Sequence, residues 1–257
     1  MNIFMGVDIG SNYIKGILID ENNKIIAKTF QKIENDYLKT YKIVTDTLKK
    51  KLNYDDKVIN LCFTGTKKRL LNKVMLGSTF KSDVRGIVSF TRKNYPSIKT
   101  IMDIGNCLKI INILDSNIIN YAIDDFNIYG SFIDKVISKL DIDINKDIDI
   151  MKKKVFFKKE NTYLFDDKII DSLINKYDKE EIILGIYMMV IENIKDNIRK
   201  TKCNREILIT GGLTLNKTFI RLLKSQLNRK VFISDTNIYT SVIGSIYLVK
   251  EEDVVTN

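Results

Sequence analysis

The sequence contains no histidine and no tryptophan, and its one proline is Pro96. The absence of histidine excludes Ser-His-Asp and Cys-His catalysis and every histidine-ligated metal site. Any proton transfer must therefore use a carboxylate, lysine, tyrosine, cysteine or water. The three cysteines, Cys62, Cys107 and Cys203, are too few and too dispersed for a disulfide framework, which indicates a reducing compartment.

Long apolar runs are also absent from the sequence. The longest, Ile182 to Ile191, has ten residues and is flanked by charged residues, so it predicts a buried helix rather than a membrane span. The first residues begin a predicted strand directly, without the layout of a signal peptide. We therefore expect a cytoplasmic protein with no membrane partner.

The formal net charge of +10 raises the question of nucleic acid binding. The basic residues, however, form short clusters scattered among predicted helix ends and loops, such as those at 49–51 and 152–154. Such clusters are typical of solvated faces, and we expect no nucleic acid partner. A hydrophobic fraction of 44% over 257 residues is that of a globular chain that can bury a good core.

The motif Asp-Ile-Gly occurs twice, at Asp8–Gly10 and at Asp103–Gly105, each time at the end of an apolar predicted strand. A hairpin turn follows each copy, and the second strand then carries Lys15 or Lys109, which we expect at the surface. A repeat on this scale indicates two related halves that face each other. Two glycine turns facing one cleft, each with a carboxylate, would suit the phosphates of a nucleotide and its magnesium ion.

Each half of the chain has the predicted order β-β-β-α-β-α, which favours an α/β fold with two tandem mixed sheets and flanking helices. Pro96 breaks a helix and sets the boundary between a first half, 1–96, and a second half, 97–236. A closing helix at 237–250 is expected to pack back on the first half. The polar section at 141–161 predicts an insertion with a strand of its own around 155–157. Two further predicted helices span 67–75 and 215–227.

Several sequence pieces, taken in order, resemble the actin, hexokinase and acetate-kinase superfamily, and within it the BadF/BadG/BcrA/BcrD-type ATPases, which include activators of 2-hydroxyacyl-CoA dehydratases. The pieces are Gly6–Ser11 with Lys15, Thr64-Gly65, Asp103–Gly105 with Lys109, Ile209–Leu213 with Asn216, and Ser241–Ser245. The likeness covers nearly the whole chain. It implies two ribonuclease-H-like halves with a nucleotide cleft between them, ATP or ADP with Mg²⁺ as cofactor, a homodimer, and a CoA-ester dehydratase or reductase-like protein as partner.

The chain also departs from this family. The family's second phosphate loop reads Asp-Ile-Gly-Gly-Gln-Asp, whereas residues 103–108 read Asp-Ile-Gly-Asn-Cys-Leu. The family's activators hold a [4Fe–4S] cluster between two subunits, with two cysteines from each. By our alignment those positions are Asn127 and Asn161, and the loop after the first is shortened to Gly130. We therefore expect no iron–sulfur cluster.

The repeat and the resemblance together define the candidate site. The predicted nucleotide-binding residues are Gly10, Ser11, Asn12, Lys15, Gly105, Asn106, Gly130, Gly211, Gly212, Leu213 and Asn216. Asp8 and Asp103 are the predicted catalytic residues and Mg²⁺ holders, directly or through water, and Asp103 could orient the attacking water. Asn106 replaces a glycine, but asparagine tolerates a positive φ, so the turn is expected to survive. The alternative is that both aspartates only cap hairpin turns and that the late Gly-Gly is a tight βα turn.

Three functions fit these observations. The first is an ATP-binding, slowly ATP-hydrolysing, actin-like protein related to the activators but without their cluster. The second is a small-molecule kinase of the same superfamily, similar to type II pantothenate kinases, with Asp83 as the candidate base. The third is a non-catalytic, degenerate binding protein that regulates a partner.

Overall fold

The computed structural model of the protein describes residues 1–67, 78–114, 117–143, 146–158, 165–204 and 206–255. The chain forms two compact units. Unit 1 comprises Met1–Ile98 and Ile238–Asn257, and unit 2 comprises Lys99–Asn237. The predicted helix at 67–75 lies mainly, and the alignment position Asn161 wholly, outside the described residues.

Unit 1 is built on a five-stranded sheet with the order β3-β2-β1-β4-β5. Its elements are β1 (Asn2–Ile9), β2 (Tyr13–Asp20), β3 (Ile25–Lys32), α1 (Tyr37–Lys49), β4 (Lys57–Thr64), β5 (Thr79–Phe80), α2 (Asp83–Asn94) and α7 (Thr240–Val255). The first three strands are antiparallel, whereas β4 runs parallel to β1 and β5 parallel to β4. This mixed sheet matches the prediction from three consecutive apolar strands followed by a helix.

Helices cover both faces of the sheet in unit 1 because its central strands are apolar on both faces. Residues of β1 and β2 pack against Val44 and Leu48 of α1 on one face. On the other face, α7 approaches β1 closely, since a Cβ on Gly6 would lie 2.5 Å from Cγ2 of Val242. Helix α7 also crosses α2 at close range, since a Cβ on Gly244 would overlap the carbonyl oxygen of Gly86.

Unit 2 repeats the design with the sheet order β10-β9-β6-β7-β8. Its elements are β6 (Thr100–Ile104), β7 (Leu108–Leu114), β8 (Asn117–Asp124), α3 (Gly130–Leu140), α4 (Phe165–Ile174), α5 (Lys179–Thr201), β9 (Glu206–Thr210), α6 (Lys217–Gln226) and β10 (Lys230–Ile233). Strands β6, β7 and β8 are antiparallel, and β9 and β10 continue the sheet in parallel. Strands β6 to β10 of unit 2 therefore correspond, in the same order, to strands β1 to β5 of unit 1.

Three predicted elements differ in the structure. The apolar residues at 155–157 form no strand; Phe157 is buried in the core, and the carbonyl of Val155 lies against Gly185 of α5. The predicted helix at 215–227 is a 3₁₀ turn, Gly212–Leu215, followed by α6 from Lys217. The predicted closing helix is a 3₁₀ turn at Asn237–Tyr239 followed by α7, which extends to Val255. None of the helices within the described residues is long and apolar enough to cross a membrane.

Candidate nucleotide site

Asp8 ends β1 in unit 1 and is held by two side chains. Its Oδ2 atom accepts a hydrogen bond from Nζ of Lys15 at 3.2 Å and one from Oγ of Ser241 at 2.8 Å. Lys15 stands opposite Asp8 in the β1–β2 register, whereas Ser241 comes from the first turn of α7. Asp8 is 5% exposed, so the charge of its carboxylate is balanced by a neighbouring ammonium group in a largely water-excluded position.

Strand β4 flanks Asp8 on its other side. Thr64 stands opposite Asp8 in the parallel β1–β4 register, and Gly65 follows with φ of +96°. A Cβ on Gly65 would lie 2.3 Å from Oδ1 of Asp8 and 2.4 Å from the carbonyl oxygen of Ile9. Glycine is therefore required here both for its backbone conformation and for the close approach of the carboxylate.

Asp103 occupies the corresponding position in unit 2. Its Oδ2 atom accepts a hydrogen bond from Nζ of Lys109 at 3.2 Å, and its Oδ1 atom accepts one from Oγ1 of Thr210 at 2.9 Å. Lys109 and Thr210 are its partners in the antiparallel β6–β7 and parallel β6–β9 registers. Gly211 follows Thr210 with φ of +96°, as Gly65 follows Thr64. The duplication thus extends from the sequence motif to an Asp, Lys, Thr and Gly arrangement on three neighbouring strands.

Both lysines differ from the prediction of a surface position. Lys109 is 8% exposed and Lys15 is half-buried. The reason is the hairpin register, which places each lysine directly beside the aspartate that ends the preceding strand. Counting residues back from each glycine turn would have revealed this pairing, because antiparallel partners are fixed by the length of the turn.

The backbones of the two turns are already partly hydrogen-bonded. The N–H of Gly10 donates to the carbonyl of Tyr13 at 3.1 Å, and the N–H of Gly105 donates to the carbonyl of Cys107 at 3.0 Å. The carbonyl of Ser11 accepts a hydrogen bond from the Tyr37 hydroxyl at 3.1 Å. The first N–H of each turn thus closes its own hairpin.

Asn106 links the second turn to the start of α3. Its Oδ1 atom accepts a hydrogen bond from the N–H of Ser131 at 3.0 Å, and the N–H of Gly130 donates to the carbonyl of Gly105 at 2.9 Å. A Cβ on Gly130 would lie 2.8 Å from that carbonyl oxygen, which explains the glycine. Asn106 does not adopt a positive φ, so the turn is maintained for a different reason from the one predicted. Its side chain instead satisfies one of the free N–H groups at the helix N-terminus.

Of the two glycines that follow β9, Gly211 is sterically constrained, whereas Gly212 has room for a side chain. A Cβ on Gly211 would lie 2.5 Å from the carbonyl oxygen of Ile104, whereas a Cβ on Gly212 would meet nothing within 4 Å. Leu213 is buried. Asn216 caps α6 by accepting from the N–H of Phe219 and donates to the hydroxyl of Tyr187.

A partly buried polar cluster in unit 2 was missed at the level of sequence. The Asp124 carboxylate accepts hydrogen bonds from the amides of Asn193 and Asn197 and from the hydroxyl of Tyr129. Burial raises the pKa of Asp124, but these hydrogen bonds and one from the N–H of Phe126 outweigh it and lower the pKa below its usual value. Burial and the adjacent carboxylate raise the pKa of Tyr129. Since Tyr129 precedes the first residue of α3, the cluster fixes the start of that helix.

Thr210 and Ser241, which hold the two aspartates, were also missed as site residues. The Thr-Gly dipeptide at the ends of β4 and β9 was a usable signal, because parallel neighbours end at the same edge of a sheet. Ser241 is 233 positions from Asp8 along the chain; it opens the Ser241–Ser245 piece of the resemblance, but nothing in that piece assigns it to Asp8.

Each unit offers one aspartate at the end of its first strand, and a single carboxylate holds a metal ion only with other ligands. Within the described residues, no group of three or more His, Cys, Asp or Glu side chains could hold a metal ion. Magnesium, however, usually keeps several waters and needs only one or two carboxylates when phosphates complete its shell. Asp8 and Asp103 are carboxylates of this kind, and each has an ammonium group beside it.

Two of the curated relatives of the chain, which both span nearly its whole length, are dehydratase activators. The chain is 21% identical to the 2-hydroxyisocaproyl-CoA dehydratase activator of Clostridioides difficile, over 94% of this chain and 92% of the activator. It is also 21% identical to the (R)-2-hydroxyglutaryl-CoA dehydratase activating ATPase of Acidaminococcus fermentans, over 95% of this chain and 96% of that protein. The resemblance to these activators is confirmed. No protein-family model matches the chain.

A solved structure agrees with these sequence matches. The activator of the 2-hydroxyisocaproyl-CoA dehydratase from Clostridium difficile, solved with bound ADPNP, superposes with a TM-score of 0.86 at 20% identity, over 99% of this chain and 97% of that one. The predicted fold class, two actin-like mixed sheets with flanking helices, is therefore confirmed.

Proposed function

We propose that the protein is an actin-like ATPase that binds MgATP or MgADP through its two Asp-Ile-Gly turns and hydrolyses ATP slowly. One observation carries the proposal: the Asp, Lys, Thr and Gly arrangement occurs in both units, at Asp8 and at Asp103. A simple capping role for the aspartates would not require a lysine ion pair in both copies. The nucleotide-bound relative of the same fold supports the proposal.

Each ion pair has the chemistry that a magnesium nucleotide requires. The carboxylate can accept hydrogen bonds from magnesium-bound water, and the ammonium group can turn to a phosphate oxygen. In this proposal Asp8 and Asp103 hold the waters of the metal, and Asp103 orients the attacking water. Lys15 and Lys109 exchange their carboxylate partner for a phosphate. The backbones of Gly10–Asn12, Gly105 and Gly211–Leu213 lie against the nucleotide.

The test is a calorimetric titration with MgATP and MgADP, followed by an assay of phosphate release. Asp8→Asn and Asp103→Asn should each weaken magnesium-dependent binding by ~10–100-fold, as expected for the loss of a hydrogen bond to a charged group. Asp20→Asn is the matched control, because Asp20 is equally buried at the far end of the same hairpin and accepts from the N–H of Lys24. Absence of any heat or thermal shift with wild-type protein at millimolar MgATP would reject the proposal, since ligand at ~100 times Kd adds ~2.7 kcal/mol of stability.

The second candidate is a non-catalytic nucleotide-binding regulator. Asn106 favours it, because its side chain occupies the N–H of Ser131 at the α3 N-terminus, where an anion would otherwise bind. Tight MgATP binding without release of phosphate would favour this candidate. Phosphate transfer to an added alcohol or pantothenate-like acceptor would instead favour a kinase.

We further propose that the chain carries no [4Fe–4S] cluster. Such a cluster shared between two subunits needs four thiolates, two from each. Cys62 and Cys203 are buried in the two units, and Cys107 is half-buried at the second turn, while the alignment position Asn127 is an exposed amide. Anaerobic preparation with iron and sulfide should leave no acid-labile sulfide; about two iron and two sulfide atoms per chain, with the broad absorbance of a cluster, would contradict this.

The partner we propose is a CoA-ester dehydratase or reductase-like protein, because two curated relatives are named for such dehydratases. Without a cluster, the chain would act on this partner through its nucleotide state rather than as an electron donor, and we propose that it does so as a homodimer. Binding to a purified 2-hydroxyacyl-CoA dehydratase component, measured with MgATP and with MgADP, tests this. Equal binding with both nucleotides, or no binding with either, would contradict the proposed partner. Sedimentation of the chain alone tests the homodimer.

A further inference from the structure

The first Asp-Ile-Gly turn is tied by two hydrogen bonds to the segment that follows β3. The N–H of Ile33 donates to the carbonyl of Asn12 at 2.8 Å, and the hydroxyl of Tyr37 donates to the carbonyl of Ser11 at 3.1 Å. Tyr37 is the first residue of α1 and lies 26 positions after Ser11. Two successive carbonyl groups of the turn are therefore fixed by donors from outside it.

The second turn is tied at the corresponding place, because α3 follows β8 as α1 follows β3. The N–H of Gly130 donates to the carbonyl of Gly105, and the N–H of Ser131 donates to Oδ1 of Asn106. Both of these donors are backbone groups at the start of a helix. In unit 1 the start of α1 is capped by the carboxylate of Asp36, and a tyrosine hydroxyl supplies one of the two donors to the turn.

The tyrosine hydroxyl fixes the direction of one peptide group in the first turn. The ring of Tyr37 packs, together with Ile33, against the buried cluster formed by β1, β2, α1 and β4, so the hydroxyl is held in place by the core. No described peptide bond is cis, and in a trans peptide the N–H points opposite to the carbonyl. Because the hydroxyl holds the carbonyl of Ser11 toward α1, it directs the N–H of Asn12 away from that helix.

We propose that Tyr37 is a positioning residue for nucleotide binding, because its hydroxyl keeps the Ser11–Asn12 peptide in the direction that suits a phosphate. This inference rests on the proposed function, in which the backbone of Gly10–Asn12 lies against the nucleotide. Without the hydroxyl the peptide is free to turn its carbonyl oxygen, the negative end of its dipole, toward the phosphates. Repulsion between this oxygen and the phosphates then weakens binding, whereas a turn that is already oriented needs no ordering when the ligand arrives.

Tyr37→Phe tests the proposal because it removes the hydroxyl and keeps the ring that packs on the core. Thr40→Val is the matched control. The Thr40 hydroxyl donates to the carbonyl of Asp36 at 2.7 Å, so this change also removes a hydroxyl-to-carbonyl hydrogen bond at the start of α1, without touching the turn. Each variant should raise the unfolding equilibrium constant by a similar factor of ~2–10, the effect of one neutral hydrogen bond.

Calorimetric titration with MgADP should separate these two variants. Tyr37→Phe should weaken MgADP binding ~3–10-fold, because the orientation of the turn is lost together with one hydrogen bond. Thr40→Val should leave the affinity unchanged, although its effect on stability is similar. Equal affinities in the two variants, whether both match the wild-type protein or both are weaker, would overturn the positioning role, since binding would then only follow stability.

Hydrogen exchange in the ligand-free protein tests the hold on the turn independently of any nucleotide. Mass spectrometry of peptides that cover residues 9–16 should show faster exchange in Tyr37→Phe than in the wild-type protein, because the turn opens locally more often. Thr40→Val should show no such increase. Unchanged exchange in Tyr37→Phe would overturn the inference. If the wild-type protein binds no nucleotide, the proposed function fails, and the exchange comparison still decides whether Tyr37 holds the turn.

Discussion

Replacement of Gly211 by alanine should destabilise unit 2 severely. Gly211 has φ of 96° and ψ of 175°, a backbone region that is essentially restricted to glycine and costs other residues ~1–3 kcal/mol. The added methyl group would lie 2.5 Å from the carbonyl oxygen of Ile104, and such overpacking costs a further ~1–3 kcal/mol. The sum is about 2–6 kcal/mol. Because Ile104 follows Asp103 in β6, the shift that relieves the overlap should also disturb the carboxylate.

The neighbouring glycine provides the control for this experiment. A Cβ on Gly212 would meet nothing within 4 Å, and its φ is not positive, so Gly212→Ala should change the free energy of unfolding by less than ~1 kcal/mol. A destabilisation of ~4 kcal/mol, the middle of this range, lowers Tm by ~8–16 °C at ~2–4 °C per kcal/mol. Thermal unfolding followed by circular dichroism should show this decrease for Gly211→Ala. Equal Tm values for the two variants would refute the assignment of Gly211 as a conformationally required glycine.

Three further predictions follow from the site and its surroundings. Asn106→Gly should cost ~1 kcal/mol in urea unfolding, because the N–H of Ser131 loses its acceptor, yet strengthen MgATP binding in calorimetry; unchanged affinity contradicts it. Since the folded-state pKa of Asp124 is lowered below 3.8, its stabilisation is complete above about that pH and is lost as pH falls through the folded value. The stability deficit of Asp124→Asn should therefore shrink between pH 7 and pH 3 in urea titrations, and a constant deficit would argue against it. A thiol reagent should modify Cys107 before Cys203, because burial raises the pKa of the Cys203 thiol; equal rates in peptide mass spectrometry would contradict this.

The parts of the fold that follow from local pattern could be predicted. The Asp8 and Asp103 turns were found because a short-range motif marks the end of each apolar strand. The strand predicted around Val155 was wrong because its apolar residues serve a different contact. A Cβ on Gly185 would lie 2.0 Å from the Val155 carbonyl oxygen, so this segment packs on a helix instead of pairing in a sheet. An apolar sequence pattern indicates that residues are buried, but it does not indicate whether a helix or a sheet covers them.

The details of the site depend on contacts between distant parts of the chain. The pairing of Lys109 with Asp103 follows from hairpin register, but the burial of that pair depends on the rest of unit 2. The hydrogen bond from Ser241 to Asp8 requires α7 to return to a sheet that begins at the other end of the sequence. The closing helix was expected to pack back on the first half, but no periodicity in the sequence selects Ser241 as the donor to Asp8.

Helix α7 also has a consequence for the order in which the protein is made. It covers β1 at Gly6 and holds Asp8, yet it is synthesised only after the roughly 140 residues of unit 2. At ~5–20 residues per second, the ribosome needs ~7–28 s for that interval. During this time the first sheet exists without the helix that covers one of its faces, while unit 2 is contiguous and can fold as soon as it emerges. We therefore expect nascent chains that end near residue 237 to hold a protease-resistant unit 2 beside a first unit that chaperones still recognise.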